Sequence, residues 1–498
     1  MKFLHWWRTR SRYEKVLLLL FVVTMPLVNP WVRGDGVGYY AYVRSLLIDG
    51  DLRFENEWLA ANPSFVMSRV DEAGRLRPDQ YTQTGYVGNH FTVGPALLWF
   101  PFLILAHGIV LALNQIGVVI PADGYSSPYV GTMALATAFY GFLGLWLAFR
   151  LARSYFEEQW AFWGTLGIWF ASSLPVYMYF NPSWSHAHSA FAVALFLWYW
   201  HRTRGRNGGL ERRTPAQWAL LGLLSGLMVN VYYPNAVFIL VPFLESLRGY
   251  WCTWTHKEGR DWPNRLSRLF GSNTLYLMAF LIALLPTLVT RWILYGSPFQ
   301  LGYGSLKGWN WTSPALWQVL FSANHGLLSW TPVLIPALVG LFLLKRHDRE
   351  LALYCGLSFL AFYYVISSYP VWHGISSFGN RFFVSNTPIF VLGLAASLDT
   401  LRGLMQNWSG KIRMWVPKAA IMVLIGWNLG FIFQWGANLI PNRGPISWRE
   451  VVYNQVVVVP GKLWSTALGY VRARGGLMEQ IEEQDIREMR NPQSRQGK

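Results

Sequence analysis

The chain has 498 residues, of which 53% are hydrophobic and only 13% are charged. Soluble globular proteins carry roughly 25% charged residues, so this composition excludes a soluble globular protein. Its 28 tryptophans favour membrane interfaces, and its two cysteines, Cys252 and Cys355, lie in a basic loop and an apolar stretch, which excludes a disulfide framework. The net charge of +17 indicates basic cytoplasmic loops rather than nucleic-acid binding.

Apolar stretches close to the roughly 20 residues that cross a bilayer predict an all-α polytopic membrane protein with eleven spans. The expected spans are 16–31, 129–149, 159–180, 187–201, 217–233, 236–247, 273–295, 327–344, 350–369, 382–400 and 417–436. The basic start "MKFLHWWRTRSRYEK" has no cleavage pattern, so we expect an uncleaved first span with its N-terminus in the cytoplasm.

The segment 93–113, "VGPALLWFPFLILAHGIVLAL", is long enough to cross but contains Pro95, Pro101 and His107. If it does not cross, the later loops place 19 basic residues inside and 3 outside, as the positive-inside rule requires. The inside residues are Arg150, Arg153, Arg202, Arg204, Arg206, Arg212, Arg213, Arg248, Lys257, Arg260, Arg265, Arg268, Lys345, Arg346, Arg349, Arg402, Lys411, Arg413 and Lys418, and the outside ones are Arg291, Lys307 and Arg381. If it crosses, the ratio inverts. We therefore expect a re-entrant or interfacial segment within a large external region, 32–128.

These spans predict a transmembrane domain over residues 1–436 and an external C-terminal tail over 437–498. The nine basic residues of the tail argue against an external location under the positive-inside rule, although long segments obey this rule poorly. The tail segment "LMEQIEEQDIREMR", residues 477–490, combines helical character with high charge. We expect it to be a solvated terminal helix.

An acidic residue, Asp35, follows the first span in "NPWVRGDGVGYYAYVRSLLIDGD". It could cap the helix predicted after it, since Asp is common at that position. The flanking Gly34 and Gly36 favour a further role, because glycines let the backbone approach a ligand closely and leave the carboxylate uncrowded. Tyr39 and Tyr40, in the same stretch, are candidate substrate contacts.

Other polar candidates gather on the same predicted external face. They are His90, His186, His188, Arg291, Tyr303, Lys307, His325, His373 and Arg381. His186 and His188 could ligate a metal, but a His-x-His pair at a helix start points to two faces and no third ligand stands at a zinc spacing; we expect no metal. Arg381 and Arg291 could reach towards the membrane interface or clamp a phosphate with two hydrogen bonds.

A lipid-linked phosphate accounts for this combination of residues. Its tail requires a groove that faces the bilayer, and its phosphate requires cations near the interface. A carboxylate on an external loop could take the proton from an acceptor hydroxyl. The rivals are a transporter or flippase of a lipid-linked saccharide and a structural membrane subunit. A transporter is expected to carry ionisable residues near mid-membrane, whereas here they concentrate at the outer ends of the spans.

The layout of residues 1–436 resembles the GT-C superfamily of polyprenyl-phosphate-sugar glycosyltransferases. It looks most like bacterial relatives of protein O-mannosyltransferases and of lipid A aminoarabinose transferases. The resemblance rests on Asp35 in "GDGVGYYAYVRSLLIDGDL", on "NHFTVGPALLWFPF" closing the first loop, and on "SFGNRFF" late in the chain. It implies a GT-C-like bundle whose large first external loop bears interfacial helices, in a bacterial inner membrane.

The resemblance also implies an inverting sugar transfer to an acceptor hydroxyl on the external face. Asp35 would be the general base, and Arg381 would neutralise the leaving polyprenyl phosphate, together with Arg291, Lys307 and His90. The substrate contacts would be Tyr39, Tyr40, His186, His188, Tyr303, His325 and His373. No cofactor is implied beyond the lipid-phosphate sugar itself, and the acceptor is a protein, a lipid or a glycan.

Three positions depart from the pattern of the superfamily. Gly36 stands where members often have a second acid, His90 where they often have a lysine, and His186 where they often have an acid in the second external loop. A neutral histidine cannot replace a carboxylate, so we expect the sugar or the acceptor contact to differ.

Overall fold

The computed structural model describes residues 7–204, 213–255, 262–300 and 306–490, and helices joined by loops are the regular secondary structure of this part of the chain. The helices are α1 Arg12–Thr24, α2 Asp35–Arg44, α3 Glu55–Leu59, α4 Pro63–Met67, α5 Gly94–Gln115, α6 Ser127–Ala152, α7 Glu158–Phe170, α8 His186–Thr203, α9 Pro215–Val231, α10 Leu240–Thr255, α11 Trp262–Tyr295, α12 Leu316–Phe321, α13 Leu327–Trp330, α14 Leu334–Leu343, α15 Arg349–Ser368, α16 Thr387–Leu404, α17 Gly410–Gly436, α18 Trp448–Tyr453, α19 Val459–Arg472 and α20 Arg474–Arg490. A 3₁₀ segment, Arg381–Asn386, leads directly into α16.

Within the described residues, six helical segments are long and apolar enough to cross a membrane: α5, α6, α11, α15, α17, and α16 with its 3₁₀ lead-in. Five of them overlap expected spans, and α9 is a shorter apolar helix. Many of their large apolar side chains are exposed, among them Leu105, Leu360 and Val423, as expected where lipid takes the place of water. The chain is an all-α polytopic membrane protein, while the number of eleven spans stays a prediction.

Small residues bring the central helices into close contact. A side-chain carbon added at Gly340 of α14 would lie 1.6 Å from the carbonyl oxygen of Gly393 in α16. Such backbone approach is the usual packing device between helices in membranes. It lets α16 pack against α6, α7, α8 and α14, so the segment that carries Arg381 is anchored on several sides.

An irregular stretch, residues 171–185, connects α7 to α8 and is almost entirely buried. The preceding helix α7 has 13 residues, about 20 Å at 1.5 Å per residue, and a π-helical turn, Val176–Phe180, lies within the stretch. Irregular backbone is tolerated at such depth when protein surrounds it. This stretch forms a platform beneath α2.

The segment 93–113 forms one continuous helix, α5, which packs along the first half of α6. The His107 ring Nδ1 lies 2.7 Å from the hydroxyl of Tyr129, close to the start of α6. The second half of α6 packs on α8 instead, where Gly144 lies against Phe191. Helices α5 and α8 therefore extend from the middle of α6 in opposite directions. That arrangement is compatible with a non-crossing α5, which stays a prediction.

We expect a topology reporter fused after Asp123 to report the external side. The physical reason is the 19-to-3 split of basic residues computed above, which holds only if 93–113 does not cross. The measurement is the activity of a compartment-sensitive reporter in intact cells, with a fusion after Arg153 as the cytoplasmic control. A cytoplasmic signal after Asp123 would overturn the eleven-span topology.

The C-terminal tail folds back onto the first loop. Tyr470 donates to the carbonyl of Leu27 at 2.8 Å, and Arg474 donates to the carbonyl of Val28 at 2.6 Å. Further along α20, Glu482 and Asp485 are only 7% and 2% exposed. The expectation of a fully solvated terminal helix is therefore wrong: Glu482 and Asp485 are buried against the first loop, while Glu479 and Glu483 are exposed. The tail lies on the same face of the bundle as Asp35.

Candidate active site

A cavity of ≈170 Å³ lies where α2, the end of the first loop, α8 and the segment before α16 meet. Its lining residues are Asp35, Tyr39, His90, Phe91, His186, Tyr232, Tyr369, Val371, Gly374, Ile375, Arg381 and Phe382. The fold thus brings together five of the candidate residues from four separate regions of the chain: Asp35, Tyr39, His90, His186 and Arg381. The remainder of the wall is mainly aromatic.

Asp35 and Arg381 form an ion pair at the edge of this cavity. Asp35 Oδ2 accepts a hydrogen bond from Arg381 Nη2 at 2.9 Å, with side-chain exposures of 35% and 11%. The guanidinium lies 4.3 Å from the ring centre of Trp184. Its Nε is buried without a hydrogen-bond partner and packs close to Gly374, where an added side-chain carbon would lie 3.3 Å from it. The cation therefore keeps an unused donor close to the cavity.

The loop before Arg381 is tied to the buried 171–185 stretch. The hydroxyl of Tyr177 accepts a hydrogen bond from the backbone N–H of Phe378 at 3.2 Å. Ser377 donates to the carbonyl of Gly379 at 2.9 Å, which closes a tight turn with Gly379 at φ +60°. The motif "SFGNRFF" thus sets the direction of the Arg381 side chain.

Asp35 is the first residue of α2, not its cap. The N-cap is Gly34, at φ +54°, and no side chain caps the helix; a carboxylate in the first turn still interacts favourably with the helix dipole. A carbon added at Gly36 would lie 2.0 Å from Ser183 Oγ. The expectation that the glycines leave room for a ligand is wrong for Gly36, which makes room for the protein itself. A second acid would not fit there.

Arg291 lies outside the cavity lining and holds the segment that carries His90. It donates to the carbonyls of Asn89 at 2.7 Å, His90 at 2.9 Å and Phe91 at 2.6 Å, and its Nε donates to the hydroxyl of Tyr233. The side chain is 2% exposed. In place of the phosphate contact expected from the sequence, the structure gives Arg291 the role of a positioning residue.

His90 lines the cavity in an uncharged form. Burial lowers the pKa of His90 to about 4, although the carboxylate of Asp35 opposes the change. At pH 7 the imidazole of the ligand-free protein is therefore neutral and offers a hydrogen bond rather than a charge. The role of His90 beside a bound phosphate stays a prediction.

His186 and His188 point to different sides of α8, as the His-x-His spacing predicts. His186 lines the cavity, edge-on to Tyr177 with ring centres 4.8 Å apart. His188 is buried against Trp99, with ring centres 5.0 Å apart. Across the described ranges, no group of three or more His, Cys, Asp or Glu side chains is placed to hold a metal ion.

The remaining candidates lie outside the lining of the cavity. Tyr40 donates to the carbonyl of Gly124 at 2.6 Å and fixes the far side of α2. His325 is buried, which lowers its pKa to about 3, and its Nδ1 lies 2.9 Å from the carbonyl oxygen of His373. Lys307 is exposed. Tyr303 lies outside the described residues.

Sequence reasoning missed Arg69, a cation near Asp35. Burial lowers the pKa of Arg69 to about 10, and the charge of Asp35 works against that change. Its guanidinium stacks on Phe65 at 3.5 Å and donates to the carbonyl of the same residue. The sequence did offer a signal for Arg69: it lies in the first loop, as Asp35 does, within the basic stretch "RVDEAGRLR".

We expect Arg291→Met to destabilise the protein rather than to weaken phosphate binding selectively. The change leaves buried carbonyls of residues 89–91 without a charged donor, and a hydrogen bond to a charged group contributes about 1.5–3 kcal/mol. Thermal melting in detergent should show the loss, and Arg291→Lys should recover only part of it, since lysine lacks the planar fork. A normal melting temperature combined with weakened donor use would restore the phosphate-binding role.

The fold and the cavity define an integral membrane protein of the all-α class, with a carboxylate–guanidinium pair in an aromatic recess. No protein-family model and no curated protein matches the chain. Among solved structures, it is similar to ArnT from Cupriavidus metallidurans in the apo state, at 13% identity and a TM-score of 0.48, over 95% of this chain and 73% of that one.

A second similar structure is the archaeal oligosaccharyltransferase AglB from Archaeoglobus fulgidus, in complex with an inhibitory peptide and a dolichol-phosphate. The identity is 13% and the TM-score 0.44, over 90% of this chain and 54% of that one, so the chain spans about half the length of AglB. Both structures have the GT-C fold that the sequence resembles.

Proposed function

We propose that this protein is an inverting glycosyltransferase of the bacterial inner membrane. It moves a sugar from a polyprenyl-phosphate donor to an acceptor hydroxyl on the external face. The observation that carries the proposal is the Asp35–Arg381 pair at the edge of an aromatic cavity. The acceptor is a hydroxyl of a protein, a lipid or a glycan, and no metal takes part.

The donor phosphate would bind at Arg381. The guanidinium borders the cavity while its Nη2 holds Asp35, so a phosphate oxygen in the cavity would meet a cation that is already oriented. Aromatic stacking on Trp184 fixes the plane of the fork. A fixed cation that faces the leaving oxygen stabilises charge as it develops, and such stabilisation is usually the largest contribution to catalysis.

Asp35 would act as the general base. Its carboxylate takes the proton of the acceptor hydroxyl while the hydroxyl oxygen attacks the anomeric carbon of the sugar. The bond between that carbon and the phosphate oxygen breaks on the opposite face, and the electron pair leaves with the polyprenyl phosphate. One glycosidic bond replaces the other with inversion, and the proton ends on Asp35. Proton transfer of this kind contributes roughly 100- to 10,000-fold.

The size and charge of the cavity favour a single sugar without a positive charge. An apolar cavity of about 150 Å³ binds benzene, so ≈170 Å³ is the space of one six-membered ring. Among the described residues that line it, Asp35 is the one carboxylate, and Arg381 already pairs with it. A cationic amino sugar would therefore find no spare acid, whereas the aromatic walls suit the apolar face of a neutral hexose.

The test is the release of polyprenyl phosphate by the purified protein in detergent. The donors are a polyprenyl-phosphate hexose and the corresponding amino sugar, each with a mixed pool of protein, lipid and glycan acceptors, and heat-treated enzyme is the blank. We expect enzyme-dependent release, faster with the hexose. No release with either donor, together with movement of the lipid-linked sugar across vesicle membranes, would replace this function with that of a flippase.

A further inference from the structure

The C-terminal helix α20 contacts the residues that immediately precede Asp35. Its beginning is fixed to the end of the first span through Arg474, which donates to the carbonyls of Pro26 and Val28. Its second half reaches the first loop near α4. Two acids on this half, Glu482 and Asp485, are buried there.

Glu482 orients an amide that binds the N-cap of α2. Its Oε1 accepts hydrogen bonds from Asn62 Nδ2 at 2.9 Å and from the backbone N–H of Ser64 at 2.5 Å. With its NH₂ group held by Glu482, the Asn62 amide presents its oxygen to the N–H of Gly34, at 3.3 Å. Gly34 is adjacent to Asp35, so the relay joins α20 to the carboxylate through one flexible residue.

Asp485 fixes the residue on the other side of Gly34. Its carboxylate forms an ion pair with Arg33, and the two side chains are only 3% and 16% exposed. The carbonyl of Arg33 accepts a hydrogen bond from Trp184 Nε1 at 3.0 Å, and the Trp184 ring supports the Arg381 guanidinium. Breaking a buried ion pair by removal of one partner is strongly destabilising to the local geometry.

We infer that α20 is a positioning element that fixes the turn Arg33–Gly34 and thereby the direction of the Asp35 carboxylate. The inference rests on the proposed function, since the effect is measured as sugar transfer. Gly34 has no side chain to limit its conformation and stands at φ +54°, so the turn needs outside contacts to hold one geometry. Displacement of a reacting group by about 1 Å can cost on the order of 100-fold in rate.

We expect Glu482→Ala to lower kcat by about tenfold or more and to leave KM within about twofold. The base acts only in the transition state, so its misplacement affects kcat rather than donor binding. Glu482→Gln should recover most of the rate, because its side-chain oxygen can still accept from Asn62 and Ser64. The matched control is Glu483→Ala. Glu483 is the next residue along α20, and its exposed side chain is paired with Arg487 in an i,i+4 contact.

A charge exchange tests the ion pair independently. Arg33→Asp and Asp485→Arg should each lower kcat, and the double variant should restore it in part, because the exchange rebuilds the pair with opposite polarity. Suppose that the parent protein transfers sugar and that all three variants, Glu482→Ala and the two single charge reversals, keep the parental kcat. The inference about α20 is then wrong, and the proposed function stands. If the parent protein transfers no sugar, the proposed function fails first. If neither Glu482→Gln nor the charge exchange restores the lost kcat, α20 stabilises the fold but does not position Asp35, and the inference is wrong.

Discussion

Asp35→Asn is expected to fold normally and to lose at least about 100-fold of the sugar-transfer rate, the lower end for a general base. Asparagine keeps the size of the side chain and a hydrogen-bond acceptor for Arg381, but it removes the basicity. The substitution does not remove a helix cap, because the N-cap of α2 is Gly34 and no side chain caps this helix. A loss of activity therefore reports on the basicity of Asp35. The measurement is transfer by detergent-purified protein.

Thermal melting is the folding control for this variant, and Asp35→Ala is the second change. Both substitutions should abolish most of the transfer, and the alanine variant should also melt lower because Arg381 loses its partner in a largely buried pair. An asparagine variant that works close to the parental rate would end the role of Asp35 as a base. The acids to examine next would be Asp49, Asp51 and Glu55, in the same loop.

Arg381→Ala is expected to weaken donor use by about one to two decades. Loss of a charge-assisted contact costs roughly 1.5–3 kcal/mol, and the variant removes both the hydrogen bond to Asp35 and the cation proposed to bind the donor phosphate. Arg381→Lys should recover only part of the activity, since an ammonium cannot donate through a planar fork or stack flat on Trp184. Steady-state kinetics with a varied donor concentration measures the effect.

The control for Arg381 is Arg75→Ala, an exposed arginine of the first loop that pairs only with Asp71. Exposed pairs of this kind contribute little, so this variant should retain the parental kinetics. Because Asp35 and Arg381 touch, the double variant Asp35→Asn with Arg381→Ala should lose less than the two single losses combined. Normal turnover by Arg381→Ala would mean that the lipid phosphate binds elsewhere.

The sequence predicted the helical membrane class and much of the cavity lining because both depend on local signals. Length and apolarity mark a span, and a polar residue just beyond a span lies at its outer end. Asp35, His186 and Arg381 each stand at such a junction. Spans packed side by side bring their ends to one level, so these three residues converge although Asp35 and Arg381 are separated by 346 positions.

The failures concern residues whose role depends on a distant partner. An arginine at the outer end of a span has the same local pattern whether it binds a ligand or a carbonyl, and only the fold brings residues 89–91 to Arg291. Likewise, the charge pattern of 477–490 is that of a solvated helix. Its burial follows from complementary groups near position 33 and position 62, which periodicity does not reveal.

The contact between α20 and the turn before Asp35 has a consequence for biosynthesis. The first loop leaves the ribosome early, whereas α20 follows the last apolar segment of the described chain, α17. The bundle can insert span by span while the turn still lacks its support, so the turn is held only after α20 has been made and has joined the first loop. Chains that terminate before α20 can then occupy the membrane with the turn before Asp35 unsupported.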